Sequence, residues 1–463
     1  MSSAHPRAHA ARTLALLACA TLAVGVGRSP ALAVADAGVA AAPASATQFN
    51  DGLTLVARKA TASPTAALEV WIKGPASGYG TPRPGLARLT ALAIVEHRSA
   101  DGTSLREDAR ATGAQIAVSV YNESTEIAIL APTYVSSSLL DKLLLEALHP
   151  QLDQKAFEAA RQRLAAQQVA SADMPDEVLR DSLFAHMFAA GPLHESSFGD
   201  PKTLTGLTLD DINAYAARAY VPGDEIVVAV GDVDEHDVAT RVAPVAPAAA
   251  SALALPESTV AQYSDAPLSL SRSALGVGGV AIGWVGPPIS DQRAATAMDF
   301  LSDYLTNPTE GVLTKIVSQA DVGSDFSGQF VTLRNPGVFY VTVSGDKVDP
   351  TLTTAIVRDA MRNELRRQMS EDEFARARAA FINHLLGSMQ TSQGLADNYG
   401  WYFSQGALAY SPSATDLALS GAYFQAVASL TPAFVYSVAS RYLQATPAVV
   451  ILPRGPVKIS EAR

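Results

Sequence analysis

The sequence has one cysteine, Cys19, and it falls in an N-terminal leader. The rest of the chain has none. That excludes disulfides, thiolate metal sites and cysteine nucleophiles together. An exported protein without disulfides must be held by core packing alone, which 463 residues permit. Charge is scarce at 17% of residues, and basic charge is the scarcer sign, with 34 Lys and Arg against 45 Asp and Glu. A chain this acidic repels phosphate backbones, so nucleic acid is not an expected partner. No internal run is long and apolar enough to span a membrane. Also missing are a Walker-type phosphate loop, a Gly-x-Gly-x-x-Gly after a strand and a Gly-x-Ser-x-Gly elbow. Gly276-Val277-Gly278-Gly279 precedes a strand and reads as a turn.

What is present begins with that leader. Arg7 and Arg12 form a basic start, Thr13 to Gly27 a small-apolar run, and Ala31-Leu32-Ala33 a small-x-small cleavage site. Residues 1–33 read as a secretory signal peptide, placing the mature protein in the periplasm or cell envelope. Its three arginines are unopposed, so removal takes the net charge from −11 to −14. An uncleaved anchor is one alternative. Lipoprotein anchoring through Cys19 is a weaker one, because the apolar run continues past it. No membrane-spanning segment is expected after cleavage.

Residues 34–46 read as a flexible, Ala-rich lead-in and 47–235 as a first domain. Its elements are strands at Leu53–Ala57 and Ala67–Ile72, then a helix over 84–98. Strands follow at Gln115–Val120 and Thr125–Leu130, helices at Leu139–Leu148 and Lys155–Gln168, and a strand at Glu225–Asp232. Ala/Pro/Ser-rich residues 236–265 read as a linker. A second domain occupies 266–457 and a tail 458–463. Its elements are Gly279–Trp284, Asp291–Leu305, Val338–Ser344 and Pro350–Gln368. Tyr399, Trp401, Tyr402 and Phe403, close together on one helix, read as core or interdomain packing.

Two internal matches suggest duplication. Phe157-x-x-x-Arg161 pairs with Phe374-x-x-x-Arg378. Leu207-Thr208 leading to Tyr220 pairs with Leu430-Thr431 leading to Tyr442, each before a terminal strand. The period is too long for a solenoid and points to one repeated α+β unit.

Pro84-Gly85-Leu86-Ala87-Arg88-Leu89-Thr90-Ala91-Leu92 resembles the Gly-Leu-Ala-His-x-x-Glu-His opening of M16 (pitrilysin/insulinase) peptidases. Gly113-Ala114, Pro175, Tyr220-Val221-Pro222 and Val227-Val228-Ala229-Val230-Gly231-Asp232 match further landmarks in order. The resemblance covers residues 47–455. It implies an α+β fold of two homologous α/β sandwich domains, each a mixed or antiparallel sheet covered by helices.

In that family two His and a later Glu bind zinc, and a Glu between the His activates water. The resemblance puts Arg88, Ala91 and Leu92 at the helix positions and Gln167 at the third ligand. A guanidinium cannot coordinate zinc, Ala and Leu offer no lone pair, and a neutral amide is a poor ligand. The family's Arg and Tyr clamp on the scissile carbonyl corresponds here to Val317 and Ser324. Arg334 and Tyr340, six apart around a Pro-Gly turn, read as structural. The alternative is a displaced site built from Glu96, His97 and Asp173, but it lacks a third convergent ligand.

The expectation is therefore an M16-type subunit with no catalytic, metal or cofactor residues of its own. It would form a heterodimer with a zinc-bearing M16 chain, the two closing as a clamshell around unfolded peptides. A self-paired or stand-alone peptide-binding scaffold of the envelope is the second reading, and a zinc peptidase with the displaced site the third. The strand Ala117-Val118-Ser119-Val120-Tyr121 replaces the family's substrate edge. An edge strand can still pair with a peptide through its backbone.

Overall fold

The computed structural model describes residues 44–49, 51–60, 63–148, 150–243, 254–264, 266–271, 275–323, 325–406 and 422–454. The leader with Cys19, most of the lead-in, the middle of the linker, Ser324 and the tail lie outside them.

The first half runs β1 (Ser45–Gln48), β2 (Thr54–Lys59), β3 (Thr65–Lys73), α1 (Leu86–Glu96), α2 (Leu105–Thr112), β4 (Gln115–Val120), β5 (Ser124–Pro132), α3 (Ser136–Leu148), α4 (Gln154–Ala172), α5 (Pro175–Met187), β6 (Phe188–Ala190), α6 (Pro201–Thr205), α7 (Leu209–Ala219), β7 (Glu225–Gly231) and α8 (Glu235–Val242). The second runs β8 (Thr259–Val260), β9 (Leu268–Ser269), β10 (Gly278–Gly286), α9 (Gln292–Thr306), α10 (Val312–Ala320), β11 (Asp325–Val331), β12 (Gly337–Gly345), α11 (Pro350–Leu365), α12 (Glu371–Ser388), α13 (Ser392–Ser404), α14 (Ala422–Ala428), α15 (Pro432–Tyr442) and β13 (Ala448–Leu452).

Both main sheets are mixed and covered by helices, an α+β architecture. The first is ordered β1-β2-β7-β3-β5-β4 and the second β11-β12-β10-β13-β9. Read inward from β4 and from β11, both give three antiparallel pairings and then a parallel one. The internal sequence matches sit at corresponding places. Arg161 stacks on Phe157 in α4 as Arg378 does on Phe374 in α12, and Thr208 and Thr431 cap α7 and α15.

Strand β3 shows why the halves hold together. Ala66, Leu68, Val70 and Ile72 enter a core with α1, α3 and α7, while Ala67 and Trp71 enter a second core shared with the other sheet. A strand buried on both faces reads as continuously apolar, and this one does. The halves also exchange helices. Helix α5, from the first half, packs on β10 and β13, and α13, from the second, packs on β3 and β7. The fit of α13 depends on Gly400, where a Cβ would lie 1.9 Å from Trp71 Nε1. Of the four residues read as packing, Tyr399 and Trp401 lie in this joint, while Tyr402 faces Asp299 and Tyr423 of the second half. Tyr399 accepts from Arg58 at 2.7 Å, and the Trp401 ring meets Tyr121 edge-on at 4.9 Å.

Candidate functional site

Helix α1 is buried from Leu86 to Val95, because α4, α7 and β4 surround it. It opens at Gly85, whose φ of +89° suits glycine. A Cβ there would come within 2.9 Å of Phe198 O, so the Ser197–Phe198 loop can close over the helix start. Residues 88 and 92 fall on one helix face. They look into a cavity of about 510 Å³.

That cavity joins both halves. Its walls include Arg88 and Leu92 of α1, Gln167 of α4, Arg180 of α5, and Gln393, Asp397 and Trp401 of α13. Residues 116–121 all line it in sequence. Successive strand side chains point to opposite faces. A cavity touched by every one of them runs along the strand's edge, and β4 is the edge of its sheet. Among the described residues, no side chain hydrogen-bonds the β4 backbone between Ile116 and Ser119.

The sequence-selected positions divide here. Arg88, Leu92 and Gln167 come together on one wall, with Ala91 fully buried beside them. Val317 is packed in the core on α10, away from this cavity, and Ser324 lies outside the described residues. Glu96, His97 and Asp173 are not gathered. Glu96 is ion-paired with Arg106 and Arg163. His97 Nδ1 meets Glu146 Oε2 at 2.7 Å, and Asp173 is an exposed C-cap of α4. Arg334 bonds Glu123 and Glu257, and Tyr340 accepts from Gln329 at 2.6 Å.

Arg88 is 6% exposed. It donates through Nη2 to Val120 O at 3.1 Å and Ser197 Oγ at 3.4 Å, and its guanidinium lies 3.8 Å over the Phe198 ring. Burial, and then the neighbouring Arg180, lower its pKa to about 10, which leaves it charged at neutral pH.

Sequence reading missed a second cluster. Glu69 of β3, Glu126 of β5 and Asp397 of α13 can bring carboxylate oxygens within 4.8 Å of one another. Trp71 Nε1 donates to Glu69 Oε2 at 2.7 Å. Burial first, then Glu126 and Asp397, hold the Glu69 carboxyl well above the usual range. Such a group keeps or shares a proton, and an all-oxygen set could alternatively take a hard divalent cation. The available signal was an acid inside each of two apolar strands. The third partner, 328 residues from Glu69, has no local signature.

Residues 206–381 match the family model described as the peptidase M16 inactive domain. The chain carries an M16 domain. The match runs from the end of α6 through the last strand of the first half and into α12, so it does not include Arg88 or Gln167. The M16-like fold extends further. A protease from Helicobacter pylori superposes with a TM-score of 0.77 at 17% identity, covering 89% of this chain and all of that one. A peptidase M16 inactive domain from Pseudomonas fluorescens gives 0.74 at 17% identity, covering 90% and 100%. A chain of complex III2 from Candida albicans gives 0.71 at 14% identity, covering 88% and 95%. No curated protein matches the chain.

Proposed function

We propose that this chain is a non-catalytic M16-type subunit that captures extended peptides along β4. The observation that carries the reading is the edge of β4, free from Ile116 to Ser119 beside a cavity large enough for a peptide segment. Added strands gain affinity from main-chain hydrogen bonds whatever their sequence. Hydrolysis is left to another molecule, because the wall where the family builds its zinc site is Arg88, Leu92 and Gln167. We read the corresponding strand orders as a duplication of one unit, giving two homologous domains. The chain is exported to the periplasm or envelope, by ordinary signal cleavage.

A zinc-bearing M16 chain is the proposed partner, zinc being expected there and no cofactor here. That one structural likeness is a chain of complex III2 supports an assembled state. Crosslinking and co-purification from the native host test it. Recovery of a partner with His-x-x-Glu-His is expected, and recovery of this chain alone or only with itself sinks the heterodimer. Metal analysis of the purified chain, alone and mixed with that partner, should find stoichiometric zinc only in the mixture. A self-paired or stand-alone peptide-binding scaffold is the second reading, favoured by a cavity complete within one chain.

A further inference from the structure

The next step rests on the reading of β4 as a peptide-capturing edge and specifies what the peptide must carry. Arg88 is buried, yet each contact it makes is neutral: a backbone carbonyl, a hydroxyl and an aromatic face. Its Nε has no hydrogen-bond partner. The other arginines lining the cavity are all ion-paired, Arg106 and Arg163 with Glu96, and Arg180 with Glu177 and Asp181. The cavity's acids are also engaged, Glu177 by Arg180 and Glu126 within the trio with Glu69 and Asp397. A guanidinium cannot shed its charge at neutral pH as a buried lysine can. Asp181 and Glu177 act on Arg88 only from a distance and are themselves paired with Arg180, so it is held with no counter-ion in contact, which costs the fold free energy. Both hydrogen bonds use Nη2 and Nε is buried, so Nη1 is the donor left to the cavity that Arg88 lines, and a planar fork with such a donor fits a carboxylate.

We infer that Arg88 is the receptor for a carboxylate on the bound peptide, either its C-terminus or an Asp or Glu side chain. Position supports this. Arg88 bonds the carbonyl of Val120, at the C-terminal end of β4. A peptide adding parallel to β4 would bring its C-terminal carboxylate to that end. An antiparallel one would bring its N-terminal part there and could reach Arg88 only with an acidic side chain.

The test uses the whole mature chain and three fluorescein-labelled ten-residue peptides rich in Ser, Val and Thr. One has a free C-terminal carboxylate, one is its amide, and one is the amide with a single glutamate. The acid, the glutamate peptide or both should bind at least about tenfold tighter than the plain amide. The difference should vanish in Arg88→Met and shrink in Arg88→Lys. If only the free terminus raises affinity over the plain amide, the carboxylate is the C-terminus; if only the glutamate does, it is a side chain; if both do, Arg88 receives either. Equal binding of all three to wild type overturns the inference and leaves peptide capture standing. Failure of every peptide to bind overturns both. Thermal unfolding of the free protein separates reception from a structural plug. Arg88→Met should melt higher than wild type if Arg88 waits for a counter-ion, and a clearly lower melting temperature counts against the inference.

Discussion

The two edge strands occupy the same place in sheets of the same order, but only one is left open. Edge strand β11 is closed by its own helix. Ser302 of α9 accepts from Phe330 N at 2.8 Å, and Thr306 donates to Gly328 O at 2.8 Å. The acids of α9 are satisfied too. Asp299 accepts from Tyr423, Thr332 and Tyr402, and Asp303 meets His384 and Asn307. Strand β4 has none of this between Ile116 and Ser119, and α1 offers it an arginine without a counter-ion. Unpaired buried polar atoms fall mostly in the first half, with Trp284 Nε1, Arg334 Nε and Thr353 Oγ1 the ones in the second among the described residues. Glu69, Arg88, Glu123, Gln167, Gln168 and Glu225 are among those in the first half. Since a packed core pairs its buried polar groups, the second half resembles a finished core and the first a site.

The contrast depends on the joint between the halves, so its severest test is Gly400→Ala. The added methyl would overlap Trp71, which can yield only by leaving Glu69 and Tyr121. Overpacking of this kind costs about 3 kcal/mol or more. A drop in the urea midpoint and a change in tryptophan fluorescence are expected, and wild-type values for both would mean the halves are not held this way. Next comes Asp299→Ala in the closed half. Three donors lose their acceptor, for a loss of about 2–4 kcal/mol. If Arg88→Met and Asp299→Ala shift the midpoint the same way, the division into site and core fails.

The open half should also show its own pH dependence. Glu225 lies in β7 with both carboxylate oxygens unpaired. Burial, then Asp51 and Asp224, push its pKa up to about 9. Between the ordinary carboxylate pKa and that value the folded state binds more protons than the unfolded one. Stability from this group is therefore complete at low pH and falls as pH rises through the window. Glu225→Gln should gain on the order of 2 kcal/mol at pH 8 and almost nothing at pH 4, read from midpoints at both. An equal effect at the two pH values would rule out the ionisation as its source.

Local pattern made much of the frame legible. Strand Gln115–Val120 has the bounds read from the sequence, and α1 falls inside the helix read over 84–98. Helix α12 was anticipated only as the place of Phe374 and Arg378. Helix α5 was missed, because it covers β10 and β13, which are far away in sequence. Within the site, Arg88, Leu92 and Gln167 were chosen by resemblance, and the fold puts them on one wall. That Arg88 has no counter-ion was not legible, since it depends on Ser197 and Phe198 closing over α1. The carboxylate trio was hidden for the same reason, because Asp397 arrives on a helix from the other half.

The smallest effect probes the closed edge itself. Ser302→Ala removes the hydroxyl that accepts from Phe330 N, leaving a buried N–H without an acceptor. The expected loss is about 1 kcal/mol, seen as a lower urea midpoint and faster amide exchange at Phe330. Opening one group should not turn β11 into a binding edge. Phe330 and Val331 are buried, and neither borders the cavity along β4. Peptide affinity in Ser302→Ala should therefore equal that of wild type. A gain would mean that an unpaired edge alone is sufficient for capture, and that the cavity beside β4 and the arginine at its end are not what sets the two strands apart.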